Sequence, residues 1–226
     1  GDHRDLHLSI RRQRQMCIRD SISGMEFMSS MWVDYKNYEI LISRCGYTGE
    51  DGFEISIPNK HIKSFTKELL DNPDVKLAGL GARDSLRLEA GLCLYGHDIG
   101  LKDSPLEAGI DWSICKERIN KSNFIGGKAI KEENVKGPKK RLMGFLPKGR
   151  APAREGTKIF DNNNKFIGKI TSGGFSPSLS RPISMGYIDT ISINEEEVYL
   201  DVRGKKIPAS IIGLPFIPHN YFKKAN

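Results

Sequence analysis

The sequence contains no C-x-x-C pair; its four cysteines, Cys17, Cys45, Cys93 and Cys115, stand far apart. That spacing excludes a zinc knuckle, offers no disulfide framework and predicts reduced thiols without chemistry in a reducing compartment. No metal site is expected. Long apolar runs are missing as well. The stretch Ile207 to Ile217 is interrupted by Ser210, Gly213 and Pro215, well short of the roughly 20 apolar residues that a membrane span needs. No membrane partner is therefore expected. Acid is absent from Lys136 to Arg154, where Lys136, Lys139, Lys140, Arg141, Lys148, Arg150 and Arg154 cluster. This run carries much of the formal charge of +7, and such a surface suits an acidic partner. Aromatic interleaving is nearly absent there, whereas readers of single-stranded nucleic acid combine basic grooves with stacking rings. No nucleic acid partner is expected on that ground, and an ordinary solvated face is the plainer reading.

What is present is the composition of a folded globular chain, with 38% hydrophobic and 28% charged residues. Its 226 residues suffice for one large or two modest domains. Residues 1–29 read differently from the rest: Arg11, Arg12, Arg14 and Arg19 crowd a polar run without sustained periodicity. Asp2, Asp5 and Asp20 argue against a mitochondrial presequence, which is poor in acids, and the chain does not open on methionine. This segment is expected to be a non-native or disordered leader on a truncated chain.

Beyond it, Tyr38 to Cys45 and the alternating Phe53 to Ile57 predict two strands, with Phe53 and Ile55 on the apolar side and Glu54 toward solvent. Gly46, Gly49 and Gly52 mark a tight connection between them. Lys60 to Leu70 and about Leu80 to Ala90, stopped by Gly91, predict two helices. After Gly137-Pro138 the chain breaks into short runs divided by Gly, Pro, Asn and Ser. Arg141 to Leu146, Lys165 to Thr171, Ile183 to Ile188, Val198 to Val202 and Ile207 to Ile212 have the spacing of a small β-barrel or sandwich. The expected class is α+β, with an α+β domain over 30–136 and a small β-barrel domain over 137–226.

Four passages carry a specific resemblance: Arg44 to Ile55 (RCGYTGEDGFEI), Gly79 to Gly96 (GLGARDSLRLEAGLCLYG), Thr171 to Leu179 (TSGGFSPSL) and Met185-Gly-Tyr187. Their order, their spacing and the closing Pro215 to Tyr221 resemble the T-protein family, the folate-dependent aminomethyltransferases of the glycine cleavage system. The resemblance runs from about Phe27 to Tyr221. It implies a folate-binding domain, of which residues 30–136 would be the C-terminal part, followed by a barrel. It also implies transfer of a one-carbon unit from the aminomethyl-dihydrolipoyl arm of H-protein to tetrahydrofolate, with release of ammonia. The partners are then lipoylated H-protein and the co-substrate tetrahydrofolate. The compartment is the mitochondrial matrix in a eukaryote and the cytoplasm otherwise.

The same resemblance places Tyr47, Glu54, Arg83 and Tyr221 at the folate. An ionised carboxylate accepts two parallel N–H donors, which suits Glu54 to a pterin edge; without the resemblance, Glu54 reads first as a surface residue on the solvent face of a strand. Tyr47 offers a ring wall and a hydroxyl, or is simply a packed turn residue. Arg83 presents a planar fork for a carboxylate, or joins Asp84 and Arg87 in a structural salt bridge. Arg154, after Ala151-Pro-Ala, is a further candidate for the site or the H-protein surface. Tyr221 sits near the chain end, but Pro215 to Pro218 predict a tail packed back onto the body. Glu50 and Asp51 are assigned to turn chemistry, and His97 and His219 to surface or structural roles. The aspartate that the family uses at the folate nitrogens has no counterpart in context here, so no catalytic residue is assigned.

Competing readings are a non-catalytic folate-binding module, the folate domain of a dimethylglycine or sarcosine oxidising enzyme, and an interaction fragment with a basic docking face. The cysteine motif of the iron–sulfur-assembly relatives that share the fold is absent, and the wording of Leu80 to Gly96 favours the glycine system.

Overall fold

Two residues, Lys36 and Asn37, separate Tyr35 from Tyr38, which pair across the first hairpin of this computed structural model, in which residues 22–223 are described. Lys36 takes a φ of 56° to close the turn. Strands β1 (Ser30–Tyr35) and β2 (Tyr38–Ser43) are antiparallel, and β3 (Glu54–Ser56) adds to the far side of β2. Side chains alternate across a sheet, so Val33, Ile40 and Ile42 share one face, where they are buried with Met25. Helix α1 (Ile62–Leu70) contributes the buried Phe65, whose ring meets Tyr35 edge-on at 5.5 Å. Glu68 accepts a 2.6 Å hydrogen bond from the Tyr35 hydroxyl. These elements and residues 219–223 make one compact unit. Of the expected leader, residues 1–21 lie outside the described residues, while Met25 is 6% exposed.

The second unit spans residues 80–218. It holds α2 (Leu80–Glu89), α3 (Lys116–Lys121), α4 (Gly127–Lys136) and a closed antiparallel barrel in the order β4-β7-β6-β5-β8-β9. The barrel strands are β4 (Lys140–Pro147), β5 (Lys158–Phe160), β6 (Phe166–Ser176), β7 (Arg181–Asp189), β8 (Val198–Val202) and β9 (Lys205–Ile212). The α+β class and the barrel expected from the sequence are both present. Closure removes the sheet edges. Phe145, Ile159, Ile170, Ile188, Val198 and Leu200 fill the interior. On the outside of β4 and β7, Leu142, Ile183, Met185 and Tyr187 pack with Leu88 of α2. Strand β7 is thus covered on both faces, which is why it is buried almost throughout instead of alternating with polar residues.

Two glycines are required by contacts. Gly91 ends α2 with a φ of 65°, and a Cβ there would lie 3.1 Å from both Leu214 Cβ and Pro215 Cα. At Gly173 a Cβ would run into the Ala153 carbonyl. Compactness assigns α2 to the barrel unit, and the reason is chemical: its last turn buries Arg87, Leu88 and Glu89. Arg87 donates to Asp98 (2.6 Å), Ser172 (2.9 Å) and Asp84 (2.8 Å). Asp98 is fully buried and also accepts from Thr171, Ser172 and the Leu94 amide. Glu89 accepts from the Ser176 and Ser178 hydroxyls and from the Ser178 amide.

Breaking a buried pair strands the remaining charge, which costs about 3–5 kcal/mol, whereas replacing both partners by apolar residues is commonly neutral. Asp98→Ala should therefore lower the unfolding free energy by about that amount in urea titrations. Arg87→Met together with Asp98→Leu should recover most of the loss. A cost for Asp98→Ala within the ordinary surface range of about 0.5 kcal/mol would contradict this account.

Candidate functional site

The Gly-rich connection after β2 is shaped by one arginine. Arg44 is 6% exposed and grips Asp51 through two parallel hydrogen bonds, Nε to Oδ1 at 2.9 Å and Nη2 to Oδ2 at 2.7 Å. Its Nη1 donates to the Met25 carbonyl at 2.8 Å. The guanidinium carbon lies 3.6 Å from the centroid of the Phe222 ring. A planar fork that pairs bidentately and stacks on a ring is specific to arginine. Hydrogen bonds from Arg44 hold the Asp51 carboxyl below the usual carboxylate range.

The chain end returns to this loop. The Asn220 amide donates to the Gly49 carbonyl at 2.8 Å, and Asn220 Nδ2 donates to Glu50 at 3.0 Å. That seats Tyr221 flat against Phe27, with centroids 4.0 Å apart and planes 13° from parallel. Burial pushes the Tyr221 phenol up. The expected packed tail is present, and Glu50 and Asp51 hold the tail and Arg44 in addition to forming a turn.

Of the candidate residues, Tyr47, Glu54 and Tyr221 belong to this first unit. Tyr47 is half-buried in the loop, and Glu54 is exposed on β3 opposite Ser43. The Cys45 thiol is pushed up by burial first, then by the charge of Glu54 and a hydrogen bond to it. Phe53 and Ile55, expected on an apolar face, are 41% and 37% exposed, because β3 is a three-residue edge strand covered little by its neighbours.

Arg83 and Arg154 belong to the second unit and are both exposed. Arg83 lies in the first turn of α2, one turn before Arg87. Arg154 follows the fully buried Ala153. Arg87 takes the structural role expected of it, whereas Asp98 and Glu89 had no signal in the sequence. His97, which has no partner nearby in sequence, meets Glu155, with Nδ1 2.8 Å from Oε2. The basic run is partly compensated: Lys140 pairs with Asp103 at 2.6 Å, Lys148 with Glu197, and Lys136 with Glu132 at 3.9 Å. Cys45, Cys93 and Cys115 are in no disulfide among the described residues. Among the described residues no cluster of three or more His, Cys, Asp or Glu could hold a metal, and no helix is long and apolar enough to cross a membrane.

The Arg44 clamp has a defined pH response. A carboxyl whose folded value is depressed contributes stability that is complete above its unfolded value, about 4 for Asp, and is lost as pH falls through the depressed one. Asp51→Asn should lower the melting temperature at pH 7 and flatten its decline between about pH 4 and pH 2. Thermal unfolding across that range checks both; an unchanged acid limb would assign the loop's acid sensitivity elsewhere.

Comparison with known proteins divides the chain elsewhere than compactness does, since the N-terminal family match runs on past the unit boundary after Gly79. Residues 14–118 match the family model of the GCVT N-terminal domain, and residues 140–217 match that of the glycine cleavage T-protein C-terminal barrel domain. The mitochondrial aminomethyltransferase of Solanum tuberosum is 42% identical over 212 residues, covering 92% of this chain and 52% of the relative. That of Dictyostelium discoideum is 44% identical over 220 residues, covering 92% and 54%. The crystal structure of the glycine cleavage system aminomethyltransferase T from Bartonella henselae superposes with a TM-score of 0.83 at 42% identity, over 89% of this chain and 55% of that one. The chain spans about half the length of the curated relatives it matches.

Proposed function

Because this chain belongs to the glycine cleavage T-protein family, we propose that it serves aminomethyl transfer from the dihydrolipoyl arm of H-protein to tetrahydrofolate, with release of ammonia. The carbon leaves sulfur and nitrogen for the folate nitrogens, giving 5,10-methylenetetrahydrofolate, ammonia and the free dihydrolipoyl thiol. The observation that carries this reading is identity above 40% to aminomethyltransferases over 92% of the chain. Residues 30–136 are assigned to the folate domain and residues 137–226 to the barrel domain. The setting proposed is the mitochondrial matrix for a eukaryotic source, in keeping with the names of the plant relatives, and otherwise the cytoplasm.

Each proposed contact has a physical task. Glu54, an exposed carboxylate on β3, accepts the paired N–H donors of the pterin edge. Tyr47 and Tyr221 supply rings, the latter fixed by its stack on Phe27. Arg83 is assigned to a carboxylate of the folate tail on the resemblance alone, and Arg154 to folate or H-protein on the same basis. Tetrahydrofolate is a co-substrate held by hydrogen bonds and rings, and no proton-transfer step is assigned to a residue of this chain.

The test uses a chimaera that joins this chain to the part of the potato relative it does not span. Tetrahydrofolate affinity by calorimetry should weaken by about 1.5–3 kcal/mol on Glu54→Gln, the scale of a hydrogen bond to a charged group. Glu50→Gln, which touches Asn220, should change it little. Ammonia release from aminomethylated H-protein should require the chimaera, folate and H-protein together. A folded chimaera without that release would sink the transferase reading, and unchanged folate affinity in Glu54→Gln would remove Glu54 from the site.

A further inference from the structure

The outer face of the barrel brings together rings and cations that are distant in the chain. Phe160 of β5 pairs in register with Phe166 of β6 on one side and with Tyr199 of β8 on the other. One row of aromatic positions therefore crosses three adjacent strands. The Phe160 and Phe166 centroids are 6.1 Å apart. Lys206 Nζ sits over the Phe160 ring, and Phe166 is 54% exposed as the open ring.

Beside that row, Lys158 and Lys169 face each other directly across the β5–β6 pair. Like charges directly opposite destabilise a sheet, and an anion seated between them would relieve that repulsion. Lys158, Lys165, Lys169, Arg203, Lys205 and Lys206 are all exposed, and among the described residues none of them forms an ion pair. Three carboxylates lie nearby and offset part of this charge, Asp201 directly opposite Lys206 across β8 and β9, and each already accepts hydrogen bonds. Asp161 accepts from the Asn163 and Lys165 amides, Asp201 from the Gly204 amide, and Glu197 from Lys148 and the Tyr199 hydroxyl.

We propose that this face of the barrel, over β6, β5, β8 and β9, binds single-stranded nucleic acid, with a base on the open Phe166 ring and phosphates on the surrounding lysines and Arg203. Stacking is open to every base because each has a π-face, while backbone-tracking cations supply sequence-independent affinity. A lipid surface fits less well. Membrane-seeking faces present protruding apolar tips, and here two of the three rings lie half-buried in the sheet. The cations and rings lie within the second unit, and the proposal is independent of the transferase reading.

Fluorescence anisotropy with a labelled single-stranded RNA 12-mer and the 226-residue chain tests it. Binding at low salt should weaken with a log–log slope of about −0.7 per phosphate engaged, roughly −2 to −3 for three or four. Lys158→Glu with Lys169→Glu should weaken binding at least about tenfold and flatten the slope. Phe166→Ala should weaken it about tenfold with the slope unchanged, because it removes stacking alone. If the charge reversals unfold the barrel by circular dichroism, Lys158→Gln with Lys169→Gln replaces them; relieved of facing like charges, it should melt no lower than the parent. Absence of binding, equal binding of the duplex, equal competition by poly-glutamate, preferential capture by phosphatidylserine vesicles, or indifference to these substitutions would each overturn the proposal.

Discussion

The buried pair of Arg87 and Asp98 is the constraint on which the second unit depends. Taking either ion out of water costs several kcal/mol, and Coulomb attraction repays this only when the remaining donors and acceptors are also satisfied. Here they are satisfied from separate places: the Leu94 amide in the loop after α2, Thr171 and Ser172 at the bulge of β6, and the Tyr187 hydroxyl of β7, which donates to the Asp98 carbonyl at 2.9 Å. None of these groups can satisfy the pair until helix, loop and barrel have all formed. Glu89 repeats the arrangement two residues later, binding the far end of β6 while its carbonyl accepts from the Ile217 amide. Arg83, one turn upstream of Arg87 on the same helix, takes its position from this anchorage.

Much of the barrel was legible because its determinant is local. Alternating and β-branched runs at Arg141, Lys165, Ile183, Val198 and Ile207 lie within β4, β6, β7, β8 and β9, apart from Lys165 itself, which ends the turn before β6. Strand β5 is only three residues long and β1 borders the arginine-rich segment, so neither presents a window long enough for periodicity to register. The helix from Leu80 stops at Glu89, close to the Gly91 signal, whereas α3 and α4 have weak apolar patterns and gain their order from a small cluster of Leu106, Ile119 and Ile130. Phe53 and Ile55 show the converse failure. Alternation correctly announces a strand, but burial belongs to whatever lies against it.

The first unit depends in the same way on Arg44, and its candidate residues were legible unequally. Glu54 and Tyr47 could be placed from their motif because the loop is short and its glycines mark it. The placement of Tyr221 could not be read locally: it follows from the Asn220 amide reaching Gly49 and from the Phe222 ring covering Arg44, contacts that span most of the chain. An arginine at the end of a strand, seven residues before an Asp-Gly pair, was the available hint of the clamp. Turn chemistry accounted for Asp51 well enough to hide it.

The two basic regions show why linear charge counting misjudges surfaces. The acid-free run from Lys136 to Arg154 is conspicuous in the sequence, yet folding brings it Glu132, Asp103, Glu107 and Glu197, and Lys140 also lies over the Tyr187 ring. Part of its charge is answered inside the molecule. Lys158 and Lys169 are eleven residues apart in the chain, but pairing sets them opposite each other on β5 and β6, where neighbouring backbones run only about 4.8 Å apart, and Lys206 reaches from β9 over the Phe160 ring. Sequence spacing separates them, while register concentrates them. The field that an approaching polyanion meets is set by the charges left uncompensated after folding, which for the run are fewer than its sequence suggests.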